Sequence, residues 1–141
     1  RDVLGSRGLG DVYKRQVVIA DPEQMKKVIN NIISNSVKYM DKPDGHIDIR
    51  ILDEVDSIRV EIEDNGKGIA QKDLQKIFER FYRTDASRNS AQGGSGIGLS
   101  IVKKIVEDHG GYVWATAKEG EGTCMHFVLR KNIELQPGGT K

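Results

Sequence analysis

The 141 residues contain a single cysteine, Cys124. One thiol excludes an internal disulfide framework and a cysteine-rich zinc site. Neither sign of charge is in excess, because 22 Lys and Arg face 21 Asp and Glu for a net charge of +1. That balance gives no electrostatic reason to expect a nucleic acid or a membrane surface as partner. No apolar run approaches the roughly 20 residues a membrane span needs. Arg1 to Gly10 carries charge and glycine but no apolar core of the signal-peptide kind. No Gly-Lys-Ser/Thr phosphate loop occurs anywhere. What remains is enough for one domain and too short for two comfortable ones. A chain of this size buries about two-thirds of its unfolded surface. Apolar residues make up 37%, and the 16 glycines bring the figure to about 48%, inside the ordinary globular range. The sequence predicts a soluble, cytosolic, mixed globular domain.

The first sixteen residues look foreign to the rest. Gly5, Gly8 and Gly10 stand among scattered charges with neither a helical nor a strand period. Residues 1–16 therefore read as a cloning or assembly scar, or an unstructured lead-in. Residues 135–141 have tail composition. The working domain is residues 17–134.

Val17 to Ala20 is a short apolar run and predicts a strand. Asp21-Pro22 opens a helix, with Asp as N-cap, Pro at the first helical position and Glu23 in the first turn. Met25, Val28, Ile29, Ile32, Ile33 and Met40 give it an apolar stripe. Ile47, Ile49 and Ile51 alternate with polar residues, as do Ile58, Val60 and Ile62. The two runs predict an antiparallel hairpin of half-buried strands. Leu74 to Tyr82 reads as short helices, and Asp85 to Gly96 as a loop. A second long helix covers Ile97 to Val106 and stops at His109-Gly110-Gly111. Tyr112–Thr116 and Thr123–Leu129 close the chain as two strands around Gly120-Glu121-Gly122. Strands with one apolar face need one cover. The predicted fold is thus α+β: a two-layer α/β sandwich, its mixed, mainly antiparallel sheet covered on one face by helices.

Three polar constellations stand out. Asn31, Asn35 and Lys38 share one edge of the first helix, and Tyr39 flanks it. Two amide oxygens suit a hard cation, and a lysine suits phosphate. Taken alone, the same residues describe an ordinary solvated helix edge. Asp64 continues the inward parity of Ile58, Val60 and Ile62, so a carboxylate points to the core side at a strand's end. Such a group needs donors. It accepts only, which suits the amino group of adenine and repels the oxygen guanine carries there. Gly66 and Gly68 allow close approach of a flat ring. A capped hairpin end explains the same residues. Gly93 to Leu99 leads into the second helix, where free N–H groups and the dipole favour an anion, and Arg83 and Arg88 lie just upstream. A flexible linker reads the same way.

In order, Asn31–Asn35–Lys38, Asp64–Gly66–Gly68, Phe78-Glu79-Arg80-Phe81, Gly94–Gly96–Gly98 and Gly120-Glu121-Gly122-Thr123 resemble the ATP-binding catalytic domain of bacterial two-component sensor histidine kinases. The likeness spans Val17 to Arg130. It implies the Bergerat ATP-binding fold shared with gyrase, mismatch-repair and chaperone ATPases. It also implies ATP and Mg²⁺ as ligands. By that resemblance Asn31 and Asn35 hold Mg²⁺, Lys38 contacts phosphate, and Tyr39 lies against adenine. Asp64 takes the adenine amino group, with Gly66, Gly68, Ile69 and Ile97 shaping the pocket. Arg83 to Ser95 is the lid, carrying Arg83 and Arg88. Gly94, Gly96, Gly98 and Leu99 close the phosphate side, and Thr123 supports Asp64. Phe78 and Phe81 dock the lid and the helical domain, although core packing accounts for them as readily.

Gyrase-like and chaperone-like relatives place a glutamate where this sequence has Asn31. An amide cannot accept a proton, so poor hydrolysis is expected. Kinase chemistry requires alignment and charge neutralisation instead. None of His46, His109 and His126 sits in a phospho-acceptor context, so no catalytic residue is assigned to this chain. The resemblance places the acceptor on a helical dimerisation domain ahead of Val17, in a membrane-associated parent that passes phosphate to a response regulator. The fragment itself is expected to be monomeric, with no nucleic-acid or membrane contact. A serine kinase of the anti-sigma type and a non-catalytic, nucleotide-gated binding module share these motifs as alternatives.

Overall fold

The computed structural model describes residues 3–4, 16–17, 20–82 and 98–131. Strand β1 (Val3–Leu4) pairs antiparallel with β2 (Gln16–Val17) as a separate two-stranded piece. A two-residue strand thus falls inside the segment whose glycines show no period. Of the strand expected over Val17 to Ala20, only Val17 is in a strand (Gln16–Val17); Ala20 is in none, and residues 18 and 19 lie outside the described residues.

Helix α1 (Pro22–Lys38) begins as its sequence dictates. The Asp21 carboxylate accepts from the Glu23 N–H at 2.9 Å, and Pro22 takes the first position, where its missing N–H costs nothing. Strands β3 (Ile47–Asp53) and β4 (Ser57–Asp64) form the expected hairpin. After β4 comes a 3₁₀ turn (Gln71–Asp73), followed by single turns. Helix α2 (Gly98–Asp108) ends in a Schellman motif. The Gly111 N–H reaches Val106 O and the Gly110 N–H reaches Glu107 O, with Gly110 left-handed at φ +80. Strands β5 (Tyr112–Lys118) and β6 (Gly122–Arg130) complete a four-stranded sheet of order β3-β4-β6-β5. Every pairing among the described residues is antiparallel.

The two helices pack on each other and on one face of β4, β6 and β5. Between the layers lie Val28 and Ile32 of α1, Val102, Ile105 and Val106 of α2, Ile58, Val60 and Ile62 of β4, and Met125, Phe127 and Leu129 of β6. Each such apolar side chain contributes about 1.5–3 kcal/mol through burial. Two sequence expectations change. The buried stripe of α1 is Val28, Ile32 and Ser36, while Met25 and Ile33 pack only partly against the core. On β3, Ile49 and Ile51 remain 51% and 50% exposed, because the helix pair lies over the inner strands and leaves this edge uncovered.

Residues 74–82 are turns rather than helices. The N–H groups of Leu74, Lys76, Glu79 and Tyr82 each bond three residues back, which keeps the segment to single tight turns. The Tyr82 hydroxyl also bonds the buried Asp73 carboxylate, and Phe81 takes φ +66, a backbone state no helix propagates through.

Candidate functional site

Helix α1 with its cap, and the ends of β4 and β6, carry Asn31, Asn35, Lys38, Tyr39, Asp64 and Thr123. Asp64 is the last residue of β4. It lies between Ile47 on β3 and Thr123 on β6, and its Oδ1 accepts from the Gly66 N–H at 2.9 Å. Thr123 is buried directly opposite. A Cβ at Gly66 would lie 2.9 Å from Tyr39 O and 3.1 Å from Asp64 Oδ1, so only glycine passes through this gap. Gly68 is left-handed at φ +77, and a Cβ there would strike Lys118 O at 2.3 Å. Ile69 packs against the core from this loop.

Asn31, Asn35 and Lys38 share the half-buried edge of α1. Tyr39 caps the helix; its N–H donates to Asn35 O, and the Lys38 and Lys67 ammonium groups lie 5.8 and 5.5 Å from its ring centroid. The start of α2 closes on the other end of this edge. A Cβ at Gly98 would meet Asn31 Oδ1 at 3.4 Å. Leu99 turns into the core behind it. Asn31 and Tyr39 are eight residues apart, about 12 Å along the helix. The edge of α1 therefore runs from the Asp64–Gly66 turn, near Tyr39, to the N-terminus of α2 at Gly98. Gly66 and Gly68 let the backbones of Tyr39 and Lys118 come close, and the amide oxygens of Asn31 and Asn35 are hard donors of the kind that suits a magnesium ion. Arg83, Arg88, Gly94, Gly96 and Ile97 lie outside the described residues.

Phe78 is buried in the core, but Phe81 is 61% exposed at its left-handed φ, with the Arg80 guanidinium 5.1 Å from the ring centroid. Simple core packing thus accounts for Phe78 alone. Of the three histidines, His109 and His126 hold structural places. His46 is exposed. His109 Nε2 accepts from the Asp21 N–H and its Nδ1 donates to Ile105 O, tying the end of α2 to the start of α1. His126 stands on the outer sheet face between Glu61 Oε2 at 3.1 Å and Thr116 Oγ1 at 3.0 Å, stacked on Trp114. Glu61, Cys124 and His126 form the group of metal-ligating types among the described residues. Its donors are already engaged, since Arg50 bonds Glu61 and Glu63 and approaches Cys124 Sγ. Burial pushes the Cys124 thiol up to about 11, helped by the charges of Glu61 and Glu63, away from the thiolate a metal requires. Burial would raise the Glu61 carboxyl, but the Arg50 hydrogen bond and the His126 and Arg50 charges together hold it below its ordinary value.

Two side chains that help hold the site carry no signal in the sequence. Lys42 donates to Gly66 O and to Gly120 O, both at 3.0 Å. Asn65 Oδ1 accepts from the His46 N–H at 2.8 Å and so pins the turn before β3. A lysine beside a proline in a polar link looks like any solvated charge.

The profile of the histidine kinase-, DNA gyrase B- and HSP90-like ATPase family matches residues 20–133. The chain belongs to this ATPase family. Membership of this ATPase family implies ATP binding. Sensor histidine kinase WalK of Bacillus subtilis is 41% identical over 111 residues, 77% of this chain and 18% of its own. The chain spans about a fifth of the length of that relative. A mycobacterial sensor histidine kinase, MprB, superposes with a TM-score of 0.73 at 31% identity, over 84% of this chain and 79% of that one. Full-length ShkA, solved with AMPPNP, gives a TM-score of 0.71 at 26% identity, over 82% of this chain and 23% of its own. The ATPase domain thus occurs here in its histidine kinase form. No helix among the described residues is long and apolar enough to cross a membrane.

Proposed function

We propose that residues 17–134 form the catalytic domain of a sensor histidine kinase, which binds Mg-ATP and presents its γ-phosphoryl group to a histidine on a separate helical dimerisation domain. The observation that carries this reading is the convergence of Asp64, Gly66 and Tyr39 at one end of the α1 edge and of Asn31 and Gly98 at the other. The nucleotide analogue in the related ShkA structure supports it.

Asp64 accepts the adenine amino group with the oxygen that Gly66 does not occupy. Tyr39 lies against the ring, and Gly66, Gly68 and Ile69 border it, with Thr123 behind Asp64. Asn31 and Asn35 hold Mg²⁺, which when bound neutralises phosphate charge. Lys38 adds a cation, and Gly98 and Leu99 line the phosphate side at the start of α2. Asn31 stands where a hydrolytic relative needs a carboxylate base, so water is not activated and the phosphoryl group is kept for the histidine. The parent is a membrane-associated sensor whose phosphate passes on to a response-regulator aspartate.

Mixing the chain with Mg-ATP and a helical domain bearing the acceptor histidine should give acid-labile phosphohistidine. ATP binding with no transfer to any such domain would count against the kinase reading. Acid-stable phosphate on a partner serine would point to the anti-sigma type of kinase.

A further inference from the structure

Three segments distant in sequence build the wall around Asp64, and one side chain joins them. Lys42 lies in the link between α1 and β3. Its Nζ donates to Gly66 O and to Gly120 O at 3.0 Å each and approaches Asp41 Oδ1 at 3.5 Å. An ammonium has three N–H donors, so each is committed. Gly66 is the residue whose own N–H holds Asp64 Oδ1. Gly120 donates its N–H to Lys67 O at 2.7 Å, and Lys67 in turn donates to Tyr39 O at 3.3 Å. Two residues on, Gly122 stands so close that a Cβ would lie 2.0 Å from Asp64 O. Two carbonyl oxygens converging on one point repel each other unless a cation lies between them. Lys42 supplies that cation.

We propose that Lys42 is a positioning residue for base recognition. It clamps the Gly66 and Gly120 carbonyls together and thereby fixes the direction of the Asp64 carboxylate. This rests on the reading of Asp64 as the adenine acceptor. Lys42 acts through Gly66 and does not contribute to the hydrophobic core, which lies between the helices and the sheet. A carboxylate held in place rejects the guanine oxygen, whereas one free to swing or to admit water tolerates it.

The test is calorimetry of Mg-ATP and Mg-GTP on the 141-residue chain as wild type, Lys42→Met, Lys42→Arg and Asp64→Asn. Lys42→Met should weaken ATP about tenfold and narrow the ATP-over-GTP preference by a similar factor, as expected for one charged hydrogen-bonding group. Lys42→Arg should restore most of that preference. If Lys42→Met lowers both nucleotides equally, or leaves ATP unchanged, while Asp64→Asn still loses ATP, the clamp is refuted and the adenine reading survives. If the wild type shows no preference for ATP and Asp64→Asn alters neither nucleotide, the adenine reading falls and takes the clamp with it. Should Lys42→Met not fold, Lys42→Gln carries the same comparison, since its amide donates without charge.

Discussion

The Gly66 N–H donates to Asp64 Oδ1 at 2.9 Å, across the turn that ends β4. That bond commits one carboxylate oxygen to the protein's own backbone. The other oxygen is the one a base meets. Asp64→Asn can keep the backbone bond through its amide oxygen while presenting an N–H₂ group to the ligand. ATP affinity should fall by the worth of one charged hydrogen bond, about 1.5–3 kcal/mol, with the thermal midpoint of the free chain little changed. Isothermal calorimetry of wild type and variant, beside a melting curve, decides the point. Equal ATP affinity would remove adenine from this position.

Gly122 and Gly120 should behave differently although both are left-handed. A Cβ at Gly120 (φ +81) meets nothing within 4 Å, whereas one at Gly122 (φ +132) strikes Asp64 O at 2.0 Å. Gly120→Ala should therefore cost only the conformational strain of about 1–2 kcal/mol. Gly122→Ala should cost about 3 kcal/mol and displace the end of β4 as well. Urea unfolding of both variants tests the order, and equal losses would show that the turn absorbs the clash.

The outer-face network gives stability a pH dependence. Burial lowers the His126 pKa from its ordinary 6.5, against the raising effect of Glu61. The neutral ring fits its surroundings, with Nδ1–H toward Glu61 and Nε2 accepting from Thr116. Below pH 6.5 the unfolded chain therefore binds more protons than the folded one, and stability falls as pH falls from there toward the folded pKa. At the other end the Cys124 thiol is raised from 9.0 to about 11, so stability also declines as pH climbs through that interval. Urea midpoints between pH 5 and 8 should show the acid-side slope, and His126→Gln should flatten it. An unchanged slope in that variant would assign it to other groups.

Core and edge isoleucines should separate cleanly. Ile62 is fully buried between the layers, while its partner strand leaves Ile51 half-exposed. Ile62→Ala should cost about 2–5 kcal/mol and Ile51→Ala much less, measured by denaturant unfolding. Comparable costs would mean that something covers β3 in solution.

The contrast between those two residues marks how far the sequence could be read. Alternation placed Ile47, Ile49 and Ile51 on the same face as Ile58, Val60 and Ile62, and the register of β3 against β4 agrees. Alternation carries no information about where the helices lie, so it could not separate a covered strand from an uncovered one. The helix starts and stops were legible because their causes are local: Asp21-Pro22 caps α1, and Gly110 ends α2. Asp64 was legible through parity. Residues 74–82 were not, because the Tyr82–Asp73 bond and the Phe81 backbone depend on contacts made across turns. Lys42 escaped notice for a related reason: its partners, Gly66 and Gly120, are 24 and 78 residues away.

That long reach has a consequence during synthesis. The wall around Asp64 draws on the link after α1, on the end of β4, and on Gly120 to Thr123 at the β5–β6 turn. Helix α1 and the β3–β4 hairpin can form while the ribosome is still at work. The wall around Asp64 cannot, since it closes only once Gly120 to Thr123 have left the exit tunnel. A nascent chain stalled short of Gly120 should therefore ignore ATP.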